Sequence, residues 1–227
     1  TKSLQNNKKF IDLRPLIKLD SMKATMKTLS AILICCFIST IQMYGENIQR
    51  PESENYVKGV EALNEGNPEA AYTYLNAEIN EHPDNGYAHC YMALICNFCN
   101  DTKLALKALN SSLELIPEAD TEYRSFAHYS RGVLLTNLKM WEHAEADLNE
   151  AIRLNPEDVE NYKSRAQLYF ETERYEESLD DLTRALKLDS KADVNDLVLQ
   201  LMAVAPTSEF MERITATYQQ LDQVTIH

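Results

Sequence analysis

The chain has 227 residues, with 22 Lys and Arg against 35 Asp and Glu, a net charge of −13. That excess of acid excludes a phosphate-seeking surface, so nucleic acid is not an expected partner. Five glycines leave little room for a phosphate loop, and neither H-E-x-x-H nor G-x-S-x-G occurs.

Residues 1–27 hold seven Lys and Arg and two Asp and Glu, and residues 28–45 hold no charge. Leu29 to Ile41 is an apolar run of 13 residues preceded by Met26-Lys27 and followed by Tyr44-Gly45-Glu46. A positive stretch, a short apolar stretch and a small terminal residue are the layout of a secretory signal. Thirteen residues are short for a membrane span. The expectation is a signal peptide over 26–45, cleaved after Gly45. Residues 1–25 are either untranslated sequence read in frame or an extended positive region. The alternative is an uncleaved anchor, which would be the protein's membrane contact. Cys35 and Cys36 lack the small preceding residues of a lipoprotein acceptor and belong to the apolar run. Both readings place the rest of the chain outside the cytoplasm, periplasmic or in the cell envelope. Beyond residue 45 there remain 15 basic and 33 acidic residues. Acids such as Glu142, Glu145, Asp147, Glu150, Glu176, Glu177, Asp180 and Asp181 are expected on a solvated convex face rather than as a patch for a basic partner.

From residue 52 the chain repeats. Pro83 and Pro117 lie 34 residues apart, and Pro156 follows 39 later. Twelve residues before each stands an alanine (Ala71, Ala105, Ala144), and twelve before that a glycine or alanine (Gly59, Ala93, Gly132). The units are 52–85, 86–119, 125–158 and 159–192; the fourth keeps Ala166, Ser178 and Ala185 but has Ser190 for proline. Each predicts two amphipathic helices whose backbones cross closely at the small residues. Leu75, Leu109, Leu148 and Leu182 fill the space around the crossing, and proline ends the second helix. WEHAEADLNEAIRLNPE (141–157) and YEESLDDLTRALKLD (175–189) carry the pattern best.

The pattern over 52–192 resembles the tetratricopeptide repeat family. The resemblance implies an all-α fold, a right-handed superhelical stack of helix-turn-helix hairpins with C-terminal capping helices. It also implies a protein-binding scaffold. Asn55, His89 and His128 stand at the fourth position of their units, where the family has a bulky apolar residue. Glu78 and Ser112 replace a late alanine. These departures predict looser packing at the N-terminal end. Five residues are inserted between the second and third units, where Asp120 is expected to cap an extended helix and carry Tyr123 past the rim. Over 193–223, Asp193 is expected to cap a helix burying Val194, Leu197, Val198 and Leu201. Pro206 breaks it, and Phe210, Ile214, Tyr218 and Leu221 mark another. This pair reads as a cap, with a degenerate fifth repeat as the alternative.

Cys96 and Cys99 have C-x-x-C spacing, with Cys90 and His89 nearby. Inside a helix, and without a second ligand pair, they read as core packing rather than a redox or metal site. His89 and His128 sit on successive units, about 10 Å apart, too far to share a metal. No cofactor, metal or catalytic site is assigned, and the chain is not expected to be an enzyme.

The family's groove positions on the first helix of each hairpin are Ser53, Tyr56, Val60 and Leu63; Tyr87, Cys90, Leu94 and Asn97; Phe126, Tyr129, Val133 and Thr136; and Glu160, Lys163, Gln167 and Phe170. The first three sets form an aromatic and aliphatic strip, and the fourth adds a cation. The groove is therefore expected to hold an extended or helical protein segment through Tyr56, Val60, Tyr87, Leu94, Phe126, Tyr129 and Val133, with Lys163 and Gln167 at a polar end. The basic cluster that clamps a C-terminal carboxylate in some family members is missing. The alternatives are a self-associating structural oligomer, most simply a homodimer, and a cysteine-based redox accessory.

Overall fold

The structure is a computed structural model that describes residues 48–205 and 207–224, with side chains as far as Thr217. The signal-peptide and anchor readings fall outside the described residues, as do the side chains of Tyr218 and Leu221. Ten helices and no strand occupy the described residues. They are α1 (Glu54–Asn64), α2 (Pro68–Glu81), α3 (Gly86–Phe98), α4 (Thr102–Leu115), α5 (Thr121–Asn137), α6 (Trp141–Leu154), α7 (Val159–Glu171), α8 (Tyr175–Leu188), α9 (Asn195–Val204) and α10 (Ser208–Val224).

α1 pairs with α2, α3 with α4, α5 with α6 and α7 with α8, making four hairpins. The pairing turns on the undersized residues. A Cβ on Gly59 would lie 2.6 Å from Leu75 Cγ, and one on Gly132 would lie 2.7 Å from Leu148 Cγ. The leucine one hairpin arm away therefore rests on the bare backbone. Ala93 and Ala166 hold the same register in the other two hairpins, both essentially without exposed surface.

All four hairpins turn through one left-handed residue: Gly66 (φ 70°), Asn100 (59°), Lys139 (58°) and Glu173 (60°). The next residue's N–H then bonds a carbonyl five places back, as from Asn67 to Ala62 at 2.8 Å and from Arg174 to Tyr169 at 2.7 Å. This Schellman closure satisfies carbonyls that the helix end leaves open. Asn67 and Asp101 cap the second helix with side-chain oxygens, while Met140 and Arg174 supply no such bond.

First helices also touch across hairpins, α3 with α5 and α5 with α7, whereas each second helix packs chiefly on first helices. The stack therefore closes toward its first helices. At the C-terminal end both α9 and α10 contact α8. Leu197, Val198, Leu201, Phe210 and Ile214 join Leu179 and Leu182 in one buried cluster against the fourth hairpin. α9 is not capped by Asp193, as its sequence suggested. Val194 occupies the cap position without a side-chain bond and is itself buried, so the helix is held by its apolar face.

The N-terminal half is well packed. The largest cluster spans α1 to α5 and contains Tyr56, Tyr87, Tyr91 and Tyr123. Three of the polar residues that suggested looseness find partners, while Ser112 Oγ and Glu78 Oε2 are buried without one. Asn55 bonds Glu81 at 3.1 Å, His89 bonds the Pro83 carbonyl at 3.0 Å, and Glu78 accepts from Asn85 at 2.8 Å.

Candidate functional site

Asp120 caps α5, its side chain accepting the Tyr123 N–H at 3.3 Å, so the inserted residues extend the helix as the sequence indicates. Tyr123 does not pass the rim. It is 5% exposed and stands at the middle of a tyrosine cluster. Tyr87 meets it edge-on at 4.8 Å between centroids, Tyr91 meets it at 6.3 Å, and the Tyr91 and Tyr123 hydroxyls lie 3.1 Å apart. Tyr56 packs on Tyr91 at 6.1 Å. Burial raises the pKa of all four hydroxyls above the ordinary tyrosine value.

That cluster changes the character of the expected strip. Tyr56 and Tyr87 are 7% and 5% exposed, so they form the floor rather than the surface. Arg50, from the segment ahead of α1, lies 4.5 Å over the Tyr123 ring and bonds both Asp120 and Glu122. Cys90 and Leu63, also at groove positions, are buried too. The physical reason is local: the insertion carries Asp120 and Tyr123 inward over the first two hairpins, and Arg50 seals them.

The other expected residues remain half-buried and reachable: Val60, Leu94, Phe126, Tyr129, Val133, Lys163 and Gln167. Phe126 and Tyr129 stack at 6.3 Å with planes 22° apart. Burial pushes the Tyr129 hydroxyl up to about 12, with Ser164 of the next hairpin as a hydrogen-bond neighbour. Lys163 pairs with Glu160 at 2.8 Å. Lys163 and Gln167 line a hollow of about 170 Å³ with Leu182, Asp193, Val194, Asp196, Leu197 and Gln200. The polar end is therefore shared with α9 and carries two carboxylates, a feature invisible until α9 is placed against α7 and α8.

The acids do not all lie on a solvated face. Asp147 and Asp181 are 5% and 6% exposed. Arg131 binds Asp147 through two bonds of 2.7 and 2.8 Å, and Arg165 binds Asp181 through two of the same lengths. Each arginine also reaches back to the preceding hairpin, Arg131 to Asn110 at 2.8 Å and Arg165 to Asn149 at 2.6 Å. The arrangement recurs at one register. Met92 with Ala108 fills it in the second hairpin, and Lys58 over Tyr74 at 5.7 Å fills it in the first. His128 adds a second donor to Asp147 at 2.8 Å. Each ion pair ties the two helices of its own hairpin, the arginine–asparagine bond ties that hairpin to the one before, and both carboxylates are occupied.

The three cysteines among the described residues, Cys90, Cys96 and Cys99, are free and lie in α3 or at its end. Burial pushes the Cys90 and Cys96 thiols up to about 12, and Cys99 is also raised. A raised thiol is a poor nucleophile and a poor metal ligand at neutral pH. No cluster of metal-ligating side chains occurs among the described residues.

The tetratricopeptide repeat family model matches residues 127–158 and 160–191. These two segments are tetratricopeptide repeats. The human Tetratricopeptide repeat protein 6 is 24% identical over 143 residues, covering 63% of this chain and 26% of that one. The Lipoprotein NlpI homolog of Haemophilus influenzae is 31% identical over 87 residues, covering 38% of this chain and 28% of that one. The chain thus spans about a quarter of the length of these curated relatives. Among solved structures, MamA from Desulfovibrio magneticus RS-1 superposes with a TM-score of 0.61 at 19% identity, covering 75% of this chain and 94% of that one. YrrB, described as a TPR protein with an unusual peptide-binding site, gives 0.55 at 20% identity, covering 65% and 73%. At these identities the structures share the all-α repeat solenoid with this chain. Repeats of this family generally serve as protein-interaction scaffolds.

Proposed function

We propose that the protein is an exported adaptor that holds a peptide segment of another protein along its first helices, by equilibrium binding and without turnover. The observation that carries this reading is the run of half-buried apolar side chains Leu94, Phe126, Tyr129 and Val133, which leads to the hollow at Lys163 and Gln167. Aromatic and aliphatic anchors give contact area at small entropic cost, and the hollow supplies a cation with two carboxylates for polar ends. The peptide-binding site named for YrrB lends support by likeness of fold. Export rests on the apolar run at 29–41 behind a positive stretch, and on the lipoprotein named among the relatives.

A display library of random peptides selected on the protein tests the reading. Val133→Glu and Leu94→Glu should abolish enrichment by at least ten-fold while leaving the melting temperature within a few degrees. Equal enrichment by the folded variants would overturn it. Self-association is the second reading, because an apolar strip of this length is seldom left bare on a monomer. A mass by light scattering that stays monomeric as concentration rises would remove it.

A further inference from the structure

A second place on the concave side is built for a different chemistry. Arg50 Nε donates to Asp120 Oδ2 at 3.1 Å, and Nη2 donates to Asp120 Oδ1 at 3.2 Å and to Glu122 Oε2 at 2.7 Å. Its guanidinium carbon lies 4.5 Å from the centroid of the Tyr123 ring. The Tyr87 hydroxyl donates to the same Asp120 Oδ2 at 2.9 Å. Asp120 is 1% exposed. Burial works against the Arg50 charge, yet the bonds to Asp120 and Glu122 outweigh it and hold its pKa above the ordinary arginine value. Two parallel acceptors with an aromatic face suit a planar fork of donors, and a compact ammonium cannot satisfy all three.

The cradle and its occupant belong to different parts of the chain. Asp120, Glu122, Tyr123 and Tyr87 are fixed by α3 and the start of α5. Arg50 sits on residues 48–53, which form no helix and precede the first hairpin. The hairpins pair through their helices, and the segment's backbone meets them at Ser53, whose carbonyl accepts the Val57 N–H at 3.0 Å. Asp120 is also held by the Tyr123 N–H that it caps and by the Tyr87 hydroxyl, so removing Arg50 leaves a carboxylate fixed in place without its cation. Such a charge strongly favours any guanidinium that can reach it.

We propose that this is an arginine-binding site, filled by Arg50 of the same chain and open to an arginine on a partner peptide when residues 48–53 are drawn away. Arg50 acts as a tethered competitor at high effective concentration, so weak arginine ligands are turned away and strong ones are admitted. The site uses residues apart from the apolar strip, and its test does not depend on that strip.

The probe is a peptide copying residues 47–53, compared with the same peptide carrying citrulline in place of arginine. Binding is measured by calorimetry on the wild-type chain and on Arg50→Ala. The arginine peptide should bind Arg50→Ala at least ten-fold tighter than wild type, and should raise its melting temperature. The citrulline peptide should bind Arg50→Ala at least ten-fold more weakly than the arginine peptide, and Glu122→Gln in the Arg50→Ala background should weaken the arginine peptide several-fold. An Arg50→Ala chain with wild-type helical content that binds neither peptide, or both equally, overturns the proposal and makes Arg50 a fixed staple. Should Arg50→Ala fail to fold, Arg50→Lys takes its place. Its weaker grip should let the arginine peptide bind measurably tighter than on wild type, and equal affinities would refute the site.

Discussion

Replacing Arg131 by methionine isolates what the recurring buried pair contributes. Asp147 is 5% exposed and accepts two bonds from Arg131 and one from His128. Breaking one side of a buried pair costs ~3–5 kcal/mol, because the remaining charge is left without compensation. Here two features reduce that. The Arg131 side chain is 25% exposed, so water can enter the vacated side, and His128 stays within reach. The expected loss for Arg131→Met is ~2–3 kcal/mol, or a fall in melting temperature of ~4–12 °C for a chain of this size. Asp147→Ala alone leaves an arginine that can turn toward solvent, and should cost ~1–2 kcal/mol.

The decisive variant is Arg131→Met with Asp147→Ala. It installs the Met–Ala pair that Met92 and Ala108 already form at the same register of the second hairpin, where both are buried. The bare carboxylate disappears with its partner, so the double variant should lie within ~1 kcal/mol of wild type. Urea unfolding followed by circular dichroism and by fluorescence gives the comparison. Trp141 is the chain's single tryptophan and starts α6, the helix that carries Asp147, so its emission reports the hairpin under test. Losses that simply add in the double variant would show that the register does not accept an apolar pair here, and would refute the reasoning.

Two further outcomes follow from the turns and from the acids. Lys139→Gly and Glu173→Gly relieve left-handed residues at φ 58° and 60°, and each should raise the unfolding free energy by ~0.5–1 kcal/mol, while Gly66→Ala should lower it by ~1 kcal/mol; unchanged or lowered midpoints for both glycine variants would refute the strain. For Asp147, burial pushes the pKa up, but the bonds to Arg131 and His128 more than reverse this and hold it below the usual carboxylate value. The unfolded chain then takes the proton more readily, so this contribution is full above pH ~4 and is lost as pH falls through the folded value. For Asp181 burial outweighs Arg165 and the folded pKa is raised, so its ionisation weighs against folding at neutral pH, and that penalty is relieved as pH falls. Asp147→Asn should accordingly cost more stability at pH 7 than Asp181→Asn, and flatten the acid limb below pH ~4; equal losses would count against the assignment.

The spacing of small residues and leucines was readable in the sequence because it answers to one constraint, the distance between two helix backbones. Gly59 against Leu75 and Gly132 against Leu148 are that constraint in atoms. The shared left-handed turn was harder to see. Gly66 and Asn100 advertise it, but Lys139 and Glu173 do not, and there the closing bond overrides what the side chain prefers. The buried aspartates were misplaced for a related reason. An acid on a second helix looks solvated until the arginine sixteen residues earlier is seen to face it, and no apolar periodicity marks that pair.

The tyrosines show where reading by repeat position stops. Tyr56 and Tyr87 stand where the family lines its groove, and position alone made them ligand contacts. Whether a groove residue stays open depends on what crosses above it, and that is set outside the repeat. Here the inserted residues bring Asp120 and Tyr123 over the first hairpins, and Arg50 completes the cover. The first helices thus divide along the stack: an aromatic floor under a charged clasp toward the N-terminus, and a reachable apolar strip with a polar hollow toward the C-terminus. The two proposed sites together call for a ligand that offers an arginine at one end and apolar anchors beyond it, and removing either feature from such a ligand should weaken it independently of the other.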